Sequence, residues 1–352
     1  MRIVVGMSGG VDSSVAALLL KREGHEVIGV FMNNWEEKDE SGVCTSERDW
    51  DDVRRVCDVL DVPYYSVNFA KEYKERVFAR FLAEYEKLRT PNPDVLCNRE
   101  IKFSVFLDFA LKLGADRLAT GHFANLGAEG RLFTLLRARD EGKDQTYFLY
   151  MLGQRALSYA LFPVGELLKS EVRALARAAG LPTSDKRDST GVCFIGERDF
   201  RAFLKNYLPA TPGDIVDEAG KVVGRHEGVL YYTLGQRRGL GIGGSGTGER
   251  WFVVEKDVKG NQLVVSQGAD SQRLYSSEAT ALELTWIAGC APGTAFDCKV
   301  RLRHRQPLQE ARVEIEGERA HVFFREKQRA VTPGQSAVFY RDRACLGGGI
   351  IE

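Results

Sequence analysis

The sequence has no long apolar run. No stretch reaches the roughly 18 residues that a membrane-spanning helix needs, which excludes an integral helical membrane protein. The first apolar segment, Ile3 to Met7, meets Ser8-Gly9-Gly10 at once and is too short for a secretory signal. Both absences point to the cytoplasm. No charge of one sign dominates, since Lys+Arg and Asp+Glu are 49 each. No global field therefore draws the chain to nucleic acid, and any such partner must be held by a local patch. Histidine is scarce, and the five present (25, 122, 226, 304, 321) show no metal-ligand spacing. The seven cysteines (44, 57, 97, 193, 290, 298, 345) contain no C-x-x-C pair, so the usual signature of a structural zinc site is missing. An odd, dispersed set fits a reducing compartment, where thiols serve packing or chemistry.

What is present suggests two or three domains, because 352 residues exceed one ordinary core. The first half alternates strands (Arg2–Met7, Glu26–Asn33, Tyr64–Asn68, Arg117–Gly121) with helices (Asp12–Glu23, Arg48–Leu60, Lys71–Leu88, Ile101–Leu113). That order predicts an α/β domain with a parallel sheet, whose ligand site lies at the C-terminal ends of the strands. A more helical stretch runs from Gln154 to about Leu208, and Pro209, Pro212 and Gly213 then mark a boundary. Beyond it come short strands: Asp214–Val223, Trp251–Lys256, Gln262–Ser266, Lys299–Arg305, Ala311–Glu316, Ala320–Phe324 and Ser336–Tyr340. A break falls near Ser271–Ser277. The expected domains are 1–208 (parallel sheet), 209–273 (β-rich) and 274–352 (a small β-barrel).

Four constellations carry possible chemistry. The first is Ser8-Gly9-Gly10-Val11-Asp12-Ser13-Ser14, after the first strand and opening the first helix. Its glycines permit close backbone approach, and the helix start offers N–H groups and a positive dipole end, so the turn suits phosphate. It is shorter than the G-x-x-x-x-G-K-[ST] loop and has no lysine, which points to splitting ATP into AMP and pyrophosphate. Asp12 either caps the helix or ligates Mg²⁺. The second is Arg89-Thr-Pro-Asn-Pro-Asp-Val-Leu-Cys97, expected as a proline-stiffened loop between helices. There Asp94 is a candidate acid or base and Cys97 a candidate nucleophile, against the plain reading of Cys97 as a small buried hydrophobe. The third is Asp188-Ser-Thr-Gly-Val-Cys193, a second loop cysteine that could meet Cys97. The fourth is Lys299-Val-Arg-Leu-Arg-His-Arg305. Strand period two would set Lys299, Arg301, Arg303 and Arg305 on one face, as a phosphate-tracking stripe or a solvated barrel face.

Together these blocks resemble the bacterial tRNA-specific 2-thiouridylase family within the ATP-pyrophosphatase superfamily. The motifs are GMSGGVDSS, FMNNW, TPNPDVLCNREIKF, ATGHFA, KDQTYFL, STGVCFIGERDF, HEGVLYYTLGQRRGLGIGG, RHRQ and VTPGQ, and the likeness spans essentially the whole chain. Leu88 departs from the pattern, since a small residue is expected before Arg89-Thr-Pro. The resemblance implies that Gly6, Met7, Ser8, Gly9, Gly10, Val11, Asp12 and Ser13 hold ATP phosphates, with Mg²⁺ accompanying ATP and no separate metal site. It implies that Met32 and Gly121 line the adenosine. Asn92, Pro93 and Asp94 would contact the target uridine. Cys193 would carry a persulfide and Cys97 would be its partner. His122, Lys143, Asp144, Gln145, Arg303, His304 and Gln335 would touch tRNA. The implied partners are tRNA and a sulfur-relay or desulfurase persulfide donor, with neither membrane nor DNA expected. The residues alone leave open a small-molecule adenylating ligase and a nucleotide sensor.

Overall fold

The structure, a computed structural model, describes residues 1–36, 45–188, 200–243 and 248–352. Its first sheet follows from apolar residues on both faces of the strands. Along β1 (Arg2–Met7), Ile3, Val5 and Met7 enter one buried cluster and Val4 enters another. Such continuous burial is the mark of a parallel sheet covered on both sides. β2 (Glu26–Asn33), β3 (Tyr64–Asn68), β4 (Arg117–Thr120) and a later short strand, Ala160–Leu161, complete it. Helix α1 (Val11–Arg22) and α2 (Thr45–Leu60) cover one face with the later helix Lys169–Ala178. Two long helices cover the other, α3 over residues 70–86 and α4 over residues 93–112. Both contain π-helical stretches, Lys74–Phe78 and Cys97–Val105, and α4 kinks at Phe103.

The strand order is β3-β2-β1-β4 and then Ala160–Leu161, all parallel. The order reverses direction between β1 and β4. In doubly wound sheets the ligand crevice opens at that reversal, beyond the C-terminal ends of the two strands.

Between β4 and the Ala160–Leu161 strand the chain makes a hairpin that the sequence pattern does not announce, β5 (Ala124–Glu129) and β6 (Leu132–Arg137). It leaves the parallel sheet and joins the last one. In chain order, Ala160–Leu161 is therefore β7. A four-stranded central sheet follows: β8 (Gly213–Val216), β9 (Val222–His226), β10 (Trp251–Asp257) and β11 (Gln262–Gln267), ordered β10-β11-β8-β9. The expected strand Asp214–Val223 is thus two, folded about Asp217, whose carboxylate accepts the N–H groups of Ala219 and Lys221.

The last six strands are β12 (Tyr275–Trp286), β13 (Ala295–Arg301), β14 (Gln309–Glu316), β15 (Arg319–Arg329), β16 (Ser336–Arg341) and β17 (Ala344–Ile351). They pair in the ring β12-β15-β14-β13-β16-β17 and back to β12, a closed barrel around Val300, Val313, Val322 and Phe339. β6 pairs with β17, so the hairpin extends the barrel's sheet. Among the described residues no helix is long and apolar enough to cross a membrane.

Candidate active site

The turn after β1 is held by its own hydroxyls. Ser13 Oγ accepts the Ser8 N–H at 3.1 Å and donates to the Gly10 carbonyl at 3.2 Å. Ser14 Oγ donates to the same carbonyl at 2.8 Å. Gly9 has φ +72°, and a Cβ there would lie 2.6 Å from the Asp49 carbonyl oxygen, so glycine is required twice over. Gly10 is the N-cap of α1 and no side chain caps the helix, leaving its first N–H groups to face the crevice. Gly121, just past β4, abuts that helix start, where a Cβ would lie 2.4 Å from Ser13 N. Its lack of a side chain is thus explained by packing. Gly6 and Met32 lie together on the far side, since a Cβ on Gly6 would sit 3.8 Å from Met32 Cε and 3.1 Å from the Phe106 ring. Met7 and Val11 are buried in the core.

The lysine missing from the turn arrives from elsewhere. Lys169 opens the helix Lys169–Ala178, and its ammonium donates to both carboxylate oxygens of Asp12, at 2.7 and 2.8 Å. It also pairs with Asp188 at 2.8 Å, which in turn takes Lys143 at 2.7 Å and Arg173 at 3.0 Å. Burial would raise the Asp188 carboxyl, but Lys143 and Lys169 outweigh it and hold it down at about 2. Burial wins at Asp12, whose carboxyl is raised against the pull of Lys169. Both Asp12 oxygens are engaged, and among the described residues no three His, Cys, Asp or Glu side chains gather as a metal site. Asp12 would have to leave the Lys169 ammonium before it could hold a Mg²⁺ brought in with ATP. Lys169 and Arg173 escape sequence reasoning because nothing in their spacing ties them to a turn more than 150 residues away.

The second constellation is a helix start, where a loop was expected. Asn92 is the N-cap of α4, its Oδ1 accepting the Asp94 N–H at 3.2 Å, and Pro93 is the first helical residue. A proline there costs no hydrogen bond and presets φ. Asp94 and Cys97 then lie three apart, on one side of the first turn. Burial raises the Asp94 carboxyl, with Lys102 opposing. Cys97 is buried at 1% exposure. Because α4 ends a few residues before β4 and packs on the sheet, it runs antiparallel to that strand and starts above the C-terminal rim. Along it, Phe106 touches the Gly6 region and the Phe103 ring lies 6.2 Å from His122. Cys193 lies outside the described residues, and so does the expected meeting of the two thiols.

Several expected RNA-facing residues turn inward. Asp144 is 1% exposed and accepts from Thr146 Oγ1 at 2.9 Å, Ala138 N at 3.3 Å and Arg301 Nη1 at 2.8 Å. Gln145 Oε1 accepts the Phe123 N–H at 2.9 Å. Of that trio only Lys143 reaches the rim. His122 is buried between Phe103 and Phe162, bonded to Thr120 at 2.8 Å and held neutral by burial. The basic stripe does not form, because β13 ends at Arg301 and the next residues turn. Arg301 pairs with Asp144, whereas Arg303 donates to the Leu234 and Ala330 carbonyls and to Thr332 Oγ1. His304 packs on Phe148 with ring centroids 4.4 Å apart. Gln335 Nε2 donates to the Thr90 carbonyl at 2.7 Å, tying the barrel to the strand of chain that leads into Asn92.

A doubly wound sheet with an uncapped helix start at its crevice, rimmed by lysines, defines an α/β nucleotide-binding domain, here carrying two β modules. Family models match all three parts: the tRNA methyl transferase HUP domain over residues 1–197, the tRNA methyl transferase PRC-barrel domain over 201–267 and the aminomethyltransferase beta-barrel domain over 276–351. Proteins named tRNA-specific 2-thiouridylase MnmA align along the whole chain. The Alkaliphilus oremlandii protein is 56% identical over 100% of this chain and 97% of its own. Those of Bacillus subtilis and Geobacillus thermodenitrificans are 55% and 54% identical, covering 95% and 94% of their own lengths. The chain belongs to the tRNA-specific 2-thiouridylase family.

Proposed function

We propose that the protein replaces the C2 oxygen of the wobble uridine of tRNA with sulfur, using ATP to activate that oxygen. The C2 carbonyl is urea-like, and its oxygen is a poor leaving group. Attack of O2 on the α-phosphate releases pyrophosphate and leaves an O-adenylated uridine, from which AMP departs readily. The α1 N–H groups and Lys143 and Lys169 stabilise phosphate charge in this reading. Asn92 and Pro93 abut the base. Asp94, whose carboxyl burial raises, moves the proton. The outer sulfur of a Cys193 persulfide attacks C2. The Cys97 thiolate attacks the inner sulfur as the C–S bond forms, giving 2-thiouridine, AMP and a Cys97–Cys193 disulfide, which an external thiol reduces. A sulfur-relay or desulfurase protein supplies the persulfide.

The observation that carries this reading is the placing of Asp94 and Cys97 on a helix start at the rim that also bears the β1–α1 turn, in a chain of this family. The test is incubation with ATP, unmodified tRNA and a cysteine desulfurase with cysteine as the persulfide source, followed by mass spectrometry for 2-thiouridine. Cys97→Ser and Cys193→Ser are expected to form none while still binding ATP. Normal product from either, or pyrophosphate release without tRNA, would refute it.

A further inference from the structure

Lys256 belongs to β10 of the central sheet, yet its ammonium lies at the end of α3. Its Nζ donates to the Leu88 carbonyl at 2.9 Å. Leu88 has φ +63°, the left-handed turn-off that a β-carbon disfavours. Burial lowers Lys256 to about 8, and among the described residues no carboxylate pairs with it. An ammonium half-buried against one neutral acceptor is a poor stabiliser compared with an apolar side chain in the same place. Stability alone does not explain it.

The residues that follow are gripped from both β modules. Thr90 N–H donates to the Pro333 carbonyl at 2.8 Å, and Gln335 Nε2 donates to the Thr90 carbonyl at 2.7 Å. Thr90 Oγ1 meets Thr233 Oγ1 at 3.2 Å. Gly334 lies so close that a Cβ would fall 2.8 Å from Thr90 N. Two residues later Asn92 caps α4.

We propose that Lys256 is a positioning residue: by fixing the Leu88 carbonyl it sets where the chain enters α4, so that docking of the central sheet places Asp94 and Cys97. This rests on reading Asp94 and Cys97 as the reacting residues.

The experiment compares full-length wild type with Lys256→Met, which keeps the stem and removes charge and donor, and Lys256→Arg, which keeps both. Expected for Lys256→Met are an unchanged or higher melting midpoint, a kcat for thiolation at least tenfold lower and a KM for tRNA within threefold. Amide exchange in the peptide spanning residues 88–97 should quicken. Lys256→Arg should recover kcat to within threefold. If Lys256→Met melts early, Lys256→Gln takes its place. Wild-type kcat in the variant, unchanged exchange in residues 88–97, or no recovery with arginine would overturn the proposal. If the wild type makes no 2-thiouridine, the functional reading fails, and exchange alone still decides the positioning claim.

Discussion

Replacing Arg301 by Met separates two accounts of the barrel's basic strand. Arg301 and Asp144 are 5% and 0% exposed at their side chains and lie 2.8 Å apart, joining β13 to the turn after the β5–β6 hairpin. Removing one partner of a buried pair costs about 3–5 kcal/mol. Asp144 keeps the Thr146 hydroxyl, the Ala138 N–H and Arg137 at 3.8 Å, so the lower end, about 3 kcal/mol, applies. With m near 2 kcal/mol/M, the urea midpoint of the barrel transition should fall by about 1.5 M. Replacing both partners, Arg301→Met with Asp144→Leu, should recover part of that loss, because Arg137, 3.8 Å from Asp144, then keeps only Glu141 at 3.1 Å. The assay is urea unfolding followed by tryptophan fluorescence, with tRNA affinity measured at several salt concentrations. An unchanged midpoint with a salt slope reduced by about one would refute the ion-pair account and restore Arg301 to phosphate contact.

Three further outcomes are expected. Gly121→Ala should weaken ATP binding at least tenfold by calorimetry, since its Cβ would lie 2.4 Å from Ser13 N and must push α1's start aside; wild-type affinity would contradict this. Burial, with Arg305 and Arg301, lowers His304 to about 4 from 6.5. The unfolded chain therefore binds the extra proton first, and stability should fall as pH drops from about 6.5 toward 4, by roughly 1–2 kcal/mol after allowing for partial exposure. His304→Phe should flatten that slope between pH 7.5 and 5, and an equal slope would discount the residue. Iodoacetamide at pH 7.5 should label exposed Cys290 and spare Cys57 and Cys298, which burial pushes up to about 12, as peptide mass spectrometry can check. Comparable labelling of Cys57 would show that the face between α2 and the sheet opens.

The parallel sheet was legible because its strands carry their own short apolar runs, and Gly9 and Gly10 declare a tight approach. The start of α4 was half legible. Asn92 and Pro93 are helix-opening residues, but two prolines in three positions read equally as a stiff loop. Leu88, which departs from the expected small residue, adopts φ +63°, the left-handed conformation that glycine, without a Cβ, tolerates best. The basic stripe misled because period two holds only while the strand lasts, and β13 stops at Arg301. Lys169, Arg173 and Lys256 were invisible because their partners are set by the fold's long-range packing, which no local pattern encodes.

The β6–β17 pairing has a consequence for how the chain is made. Arg137 and Arg343, bonded across it, are 206 positions apart. At about 5–20 residues per second, a ribosome needs roughly 10–40 s to deliver the second after the first. Through that interval β6 is an unpaired edge, the kind of surface that invites association with another nascent chain. The nucleotide domain can close around its own sheet early, but its hairpin waits for the barrel. A truncation that spares residues 1–208 would therefore leave a permanent open edge, and aggregation is the behaviour to expect of it.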